Sequence, residues 1–185
     1  MTLSKALVPS QTLATRAAMV LGGSFLIAAA SQVSVPMFPV PMTLQTLAIL
    51  TIGMTMGARM GLATVAAWLM QGASGLPVFA GGASAAALAG PTAGFLFGFL
   101  AMVAVVGFAS DRGVKSVLGL SAAALVASAV LYLPGLAWPA LVMGKSVPDL
   151  MAGWMLPFLA GDVVKAVLAA LIVAGGWNVL KARRG

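Results

Sequence analysis

The sequence contains no cysteine and no histidine, a single tyrosine, and three acidic residues, Asp111, Asp149 and Asp162. Without cysteine there is no disulfide framework and no thiol nucleophile. Without histidine there is no imidazole base, no serine–histidine catalysis and no Cys/His zinc site. Three carboxylates are too few to line a divalent-metal cage. No general acid–base apparatus can be named from what remains, so neither an enzyme nor a resident metal or cofactor is expected. Charge of both signs is scarce: 7% of residues are charged, against about 25% in average soluble domains, too few to cover a water-facing surface.

What is present is apolar. The 185 residues are 62% hydrophobic, with a mean hydropathy of +1.11. A disordered chain is excluded by the same excess. At roughly 20 apolar residues per crossing, the length suits about six membrane spans joined by short loops. Ten Lys and Arg against three acids give a net charge of +7. In a chain this apolar such cations mark the cytoplasmic ends of spans rather than a nucleic-acid surface. The run that follows the amino-terminal Met1–Gln11 contains Ala28-Ala29-Ala30, which imitates a signal-peptide cleavage site. Later segments are equally hydrophobic, so the run reads as a first span.

Five stretches stand out: residues 17–35, 44–71, 88–109, 117–133 and 157–179. The second would be about 28 residues as one helix, roughly 42 Å, with Arg59 at its centre. Split at Met56-Gly57-Ala58-Arg59, it becomes two spans, 44–57 and 60–71. Positive-inside counting favours the split, because Lys5, Arg16, Arg59, Arg112, Lys115, Lys181, Arg183 and Arg184 then share one face. The expected architecture is a single all-α membrane domain over residues 1–185, a six-transmembrane-helix bundle with both termini cytoplasmic. Its outer loops, 36–43, 72–87 and 134–155, hold most of the chain's proline and are apolar for loops. A lid over the outer mouth and simple contact with the lipid interface both fit that composition.

Within the last span stand Asp162 and Lys165, three residues apart and so on one helical face. Pro157 suits the first turn of that helix, which puts both charges near its outer end. Each costs about 2.5–3.5 kcal/mol at a helix centre, and a neighbouring Leu, Ile, Val or Phe returns only about 0.3–0.6. The pair is therefore expected to face the interior or a wet cavity. A self-satisfied ion pair is one reading. A ligand site is the other, with Asp162 accepting from ligand N–H groups and Lys165 donating to a carbonyl or carboxylate. Gly144-Lys145-Ser146 resembles the end of a phosphate-binding loop, but Pro139 stands where that pattern requires glycine, and no strand precedes it. Ala14, Ala18 and Gly22 form a small-residue stripe on the first span, suited to close helix approach either inside the bundle or against a partner.

Four motifs in order resemble one family. They are Pro39-Val40-Pro41-Met42-Thr43-Leu44-Gln45-Thr46-Leu47, Gly75-Leu76-Pro77-Val78-Phe79-Ala80-Gly81-Gly82, Gly90-Pro91-Thr92-Ala93-Gly94-Phe95 and Pro157-Phe158-Leu159-Ala160-Gly161-Asp162-Val163-Val164-Lys165. Together they are similar to the BioY family, the biotin-specific substrate-binding (S) components of energy-coupling-factor (ECF) vitamin transporters. The resemblance implies a six-helix bundle of the ECF S-component type that binds biotin at its outer face, in a bacterial cell (inner) membrane. It implies Asp162 and Lys165 as biotin contacts, with Gln45 and Phe79 as further pocket residues. It further implies that Ala14, Ala18 and Gly22 dock onto a transmembrane coupling (T) subunit, itself joined to two ATP-binding-cassette ATPases. Uptake by this chain alone, as a homo-oligomer, is a proposed variation within the family. One departure is local: the family's Pro-Gly-Asp is Ala160-Gly161-Asp162 here. Two other functions stay open on the residues themselves: a gradient-driven, proton-coupled carrier of a small organic acid or vitamin using Asp162, and a structural membrane protein with no ligand.

Overall fold

The computed structural model describes residues 2–37 and 41–182. Phe38, Pro39 and Val40 of the first loop expected on the outer side, and Arg183 and Arg184 of the basic tail, lie outside the described residues. The described chain is almost entirely helical: α1 Leu3–Leu7, α2 Leu13–Gln32, α3 Gln45–Met56, α4 Ala58–Ala73, α5 Ala93–Asp111, α6 Val117–Met143, α7 Val147–Trp154 and α8 Leu159–Ala182. Between α2 and α3 a small antiparallel ribbon pairs β1, Ser34–Val35, with β2, Met42–Thr43. Short 3-10 turns at Ala80–Gly82, Ala85–Leu88 and Leu156–Phe158 complete the loops.

Four stretches are long and apolar enough to cross a membrane: Leu13–Gln32, Ala93–Asp111, Val117–Met143 and Val147–Ala182. The other two bundle helices, α3 and α4, have 12 and 16 residues. They are about 18 and 24 Å long, shorter than a hydrocarbon layer of roughly 30 Å. They compensate by burial. Ile49, Leu50, Met54, Val65 and Trp68 are wholly enclosed, against Met102, Val103 and Val106 of α5. By contrast α2 lies on the outside of the bundle, with Leu21, Phe25 and Leu26 exposed.

The break between α3 and α4 falls at the glycine foreseen, and the structure supplies its cause. Gly57 has φ +82°, and a Cβ there would run into the Asp111 carboxylate. Asp111, at the end of α5, accepts a hydrogen bond from the Ala58 amide (3.0 Å), one of the N–H groups that a helix start leaves unpaired. Leu3 of α1 packs near Gly176 of α8, and Thr2 near Gly57. Lys115 sits over the Trp177 ring at 4.1 Å. These contacts gather the amino terminus, the α3–α4 turn and the α5–α6 turn at one end, opposite the ribbon and the 3-10 turns.

Several boundaries differ from expectation. The helix of the first expected span, α2, starts at Leu13 rather than residue 17 and stops at Gln32, because Ser34 and Val35 pair with Thr43 and Met42. The third of the loops expected on the outer side, 134–155, is largely helical. α6 continues through Pro134 and Pro139 to Met143, and α7 follows almost at once. Proline reads as a helix breaker in sequence, but in a membrane bundle neighbouring groups accommodate it. Here α5 presents Gly94 to the Pro134 carbonyl, where any Cβ would collide. Trp138 donates from Nε1 to the Gly90 carbonyl (3.0 Å), tying the added turns to the loop before α5. Tyr132, Gly135 and Pro139 are buried at helical spacing, so these turns face inward. The last helix begins at Leu159 after the 3-10 turn that contains Pro157, not at Pro157 itself.

Candidate functional site

Asp162 lies in the first turn of α8, which follows the 3-10 turn Leu156–Phe158 without a gap. One turn deeper, Lys165 sends Nζ back to Asp162 Oδ1 at 3.0 Å. Both residues are only 7% exposed. From α6 the Tyr132 hydroxyl donates to Asp162 Oδ2 at 2.5 Å, and its ring meets the Phe95 ring edge-on at 6.0 Å between centroids. The carboxylate thus receives one donor on each oxygen. Each oxygen keeps a lone pair, and Lys165 keeps two of its three protons for another acceptor.

The facing wall comes from the start of α3 and from β2. Ser31 donates to the Ile27 carbonyl (2.7 Å), so its oxygen is free to accept from Gln45 Nε2 (2.8 Å). Gln45 Oε1 accepts from the Thr43 hydroxyl (3.2 Å). These bonds fix which way the amide points and leave it one N–H to offer. Beside it the Thr46 hydroxyl is buried with no hydrogen-bond partner, and it lines the same space.

The third wall is the loop between α4 and α5. Phe79, 1% exposed, packs its ring into a gap that Gly72 leaves on α4 and meets Trp68 edge-on at 4.9 Å. Trp68 donates from Nε1 to the Val78 carbonyl (3.0 Å). Gln32, the last residue of α2, clamps the same loop with both ends of its amide. Its Nε2 donates to the Phe79 carbonyl and its Oε1 accepts from the Gly82 amide, each at 3.0 Å.

These walls enclose a cavity of about 220 Å³. Asp162, Lys165, Gln45 and Phe79, the four pocket residues singled out from sequence, all line it. Trp154 of α7 and Phe158 of the following turn close one side, which makes the segment between α6 and α8 part of the enclosure. Tyr132, Thr46, Trp154 and Phe158 were not foreseen as lining residues. For Tyr132 a signal existed: it is the chain's sole tyrosine, and it stands inside a span, where a buried hydroxyl needs a partner. The cavity can therefore hold a small, largely apolar molecule and meet its donors and acceptors at opposite walls. Among the described residues no group of three or more acidic or sulfur ligands could hold a metal.

The small-residue stripe lies elsewhere. Ala14, Ala18 and Gly22 are exposed along α2, and nothing comes within 4 Å of a Cβ built at Gly22. Internal packing, one of the two readings of this stripe, is overturned: the adjacent Gly23 is the residue that turns inward, toward Thr64. Gly144-Lys145-Ser146 forms the end of α6 and the start of α7. Gly144 takes the left-handed cap and Ser146 accepts from the Asp149 amide, so the resemblance to a phosphate loop reduces to two helix caps.

A model of the BioY family matches residues 4–182. A Rhizobium etli protein named biotin transporter BioY is 37% identical over 163 residues, 82% of this chain and 87% of that one. The biotin transporter BioY of Thermotoga maritima is 34% identical over 153 residues, 80% and 86% of the two chains. That of Rhodobacter capsulatus is 35% identical over 149 residues, 73% and 77%. The crystal structure of the S-component for biotin from an ECF-type ABC transporter has the same fold. Its TM-score is 0.76 over 95% of this chain and 96% of that one, at 24% identity.

Proposed function

Because this chain belongs to the BioY family, we propose that it captures biotin at the outer face of a bacterial inner membrane and mediates its uptake as an ECF S component. The family's named members are transporters, and the chain is not an enzyme. In this reading the coupling (T) subunit and the ATPases supply the energy, and all six bundle helices cross the bilayer as one domain with both termini cytoplasmic. The exposed stripe of Ala14, Ala18 and Gly22 on α2 is the docking surface for the T subunit, and the surrounding apolar residues face lipid.

One observation carries the assignment. A buried carboxylate and a buried ammonium, each with hydrogen-bonding capacity to spare, face an apolar cavity across from an amide held in one orientation. Biotin has the complementary parts: a urea with two N–H donors and one carbonyl, on an apolar bicycle. The S-component fold supports partner-energised uptake over the gradient-driven carrier. Uptake by the chain alone, as a homo-oligomer, would appear as transport in vesicles that contain no other protein.

Calorimetric titration of the purified chain in detergent tests the reading. Biotin should saturate one site, and Asp162→Asn should weaken binding at least about tenfold, roughly 1.4 kcal/mol, the loss of one charge-assisted hydrogen bond. A well-folded wild-type chain that takes up no biotin would sink the assignment.

A further inference from the structure

The charge inventory of the cavity goes beyond the identity of its ligand. The lining carries one carboxylate, Asp162, and one ammonium, Lys165, and these are bonded to each other. Lys145 is exposed in the turn between α6 and α7 and does not line the space. Phe38, Pro39 and Val40 contribute no ionisable side chain. The other described cations, Lys5, Arg16, Arg59, Arg112, Lys115 and Lys181, belong to the opposite end of the bundle or its approaches.

A ligand carboxylate placed against Lys165 would therefore share one cation with Asp162, leaving a net negative charge inside an apolar enclosure. Buried charge is tolerated only when it is paired. A neutral urea adds no charge. Its N–H groups meet the free lone pairs of Asp162, and its carbonyl meets the remaining protons of Lys165. The acidic tail is then left to the loop side of the cavity, where Ala80, Ala83 and Ala87 are only half-buried and offer no cation, so that water meets the charge.

We propose that the site reads the neutral head of its ligand and leaves the charge of the tail unread, so that amides and esters of biotin are bound alongside the free acid. This rests on the biotin reading above and extends its cargo to tail-neutral derivatives.

The full chain in detergent is titrated with biotin, biotin amide and biotin methyl ester. Both neutral derivatives are expected to bind within about tenfold of the acid, a span of roughly one decade in Kd. Saturable binding of the acid with amide and ester both weaker than that overturns the proposal and leaves the biotin assignment standing. Failure of all three to bind overturns both. Ala80→Lys, which adds a cation on the loop side, is expected to make the chain favour acid over amide by about tenfold. An unchanged ratio in that variant overturns the placement of the tail.

Discussion

Two of the chain's three carboxylates are engaged within the helix bundle, and they are engaged differently. Asp111 accepts from a backbone amide, Ala58 N–H, at a turn that Gly57 alone can make beside it. Asp162 accepts only from side chains, Tyr132 and Lys165, and faces a cavity. A backbone amide cannot leave without unwinding a helix end, so the first carboxylate is committed to structure. Side-chain donors can rotate and share, so the second can exchange part of its coordination for a ligand. An acidic residue in a membrane span is a sign of function, but the nature of its donors tells structure from binding more sharply than burial does.

Removing Lys165 should produce the largest effect. Lys165→Ala strands Asp162 as a buried charge, and breaking such a pair costs about 3–5 kcal/mol. Thermal unfolding in detergent should drop steeply and biotin binding should vanish. The double variant Asp162→Asn with Lys165→Met, which removes both charges, should recover most of the stability and none of the binding. Recovery of binding would erase the distinction between the two carboxylates. Next in size is Asp111→Ala, expected to cost about 1–3 kcal/mol of stability through the orphaned Ala58 amide. Its biotin Kd, measured on the folded fraction, should stay within about twofold of wild type. The smallest effect is Tyr132→Phe. Loss of one donor to Asp162 should weaken binding by about 1 kcal/mol, roughly fivefold in Kd, with a smaller drop in unfolding temperature than in Lys165→Ala because the ion pair remains.

Much of this was legible in the sequence because it rests on scarce residues. In a chain with so few charges, Asp162 and Lys165 at helical spacing pointed to one interior face, where the structure has a cavity, and Arg59, two residues after Gly57, marked the break between α3 and α4. What was not legible depends on contact between distant segments. Pro134 and Pro139 signal a loop, and only the approach of Gly94 on α5 and the bond from Trp138 to Gly90 explain why α6 runs past them. Tyr132 acquires its meaning from the register of α6 against α8, which no local pattern encodes. The stripe on α2 was ambiguous for the same reason: spacing gives a face, but not what the face meets.

Gln32 imposes a mechanical constraint on α2. It ends α2, a 20-residue helix about 30 Å long with most of its surface outside the bundle. Through two hydrogen bonds it grips the loop that carries Phe79. A rod of that length converts a small tilt at one end into a displacement at the other. A tilt of α2 at its Ala14 end is therefore felt by the cavity's third wall through Gln32, and by α4 and α3 through Ser24 and Ser31, which accept from Gln71 and Gln45.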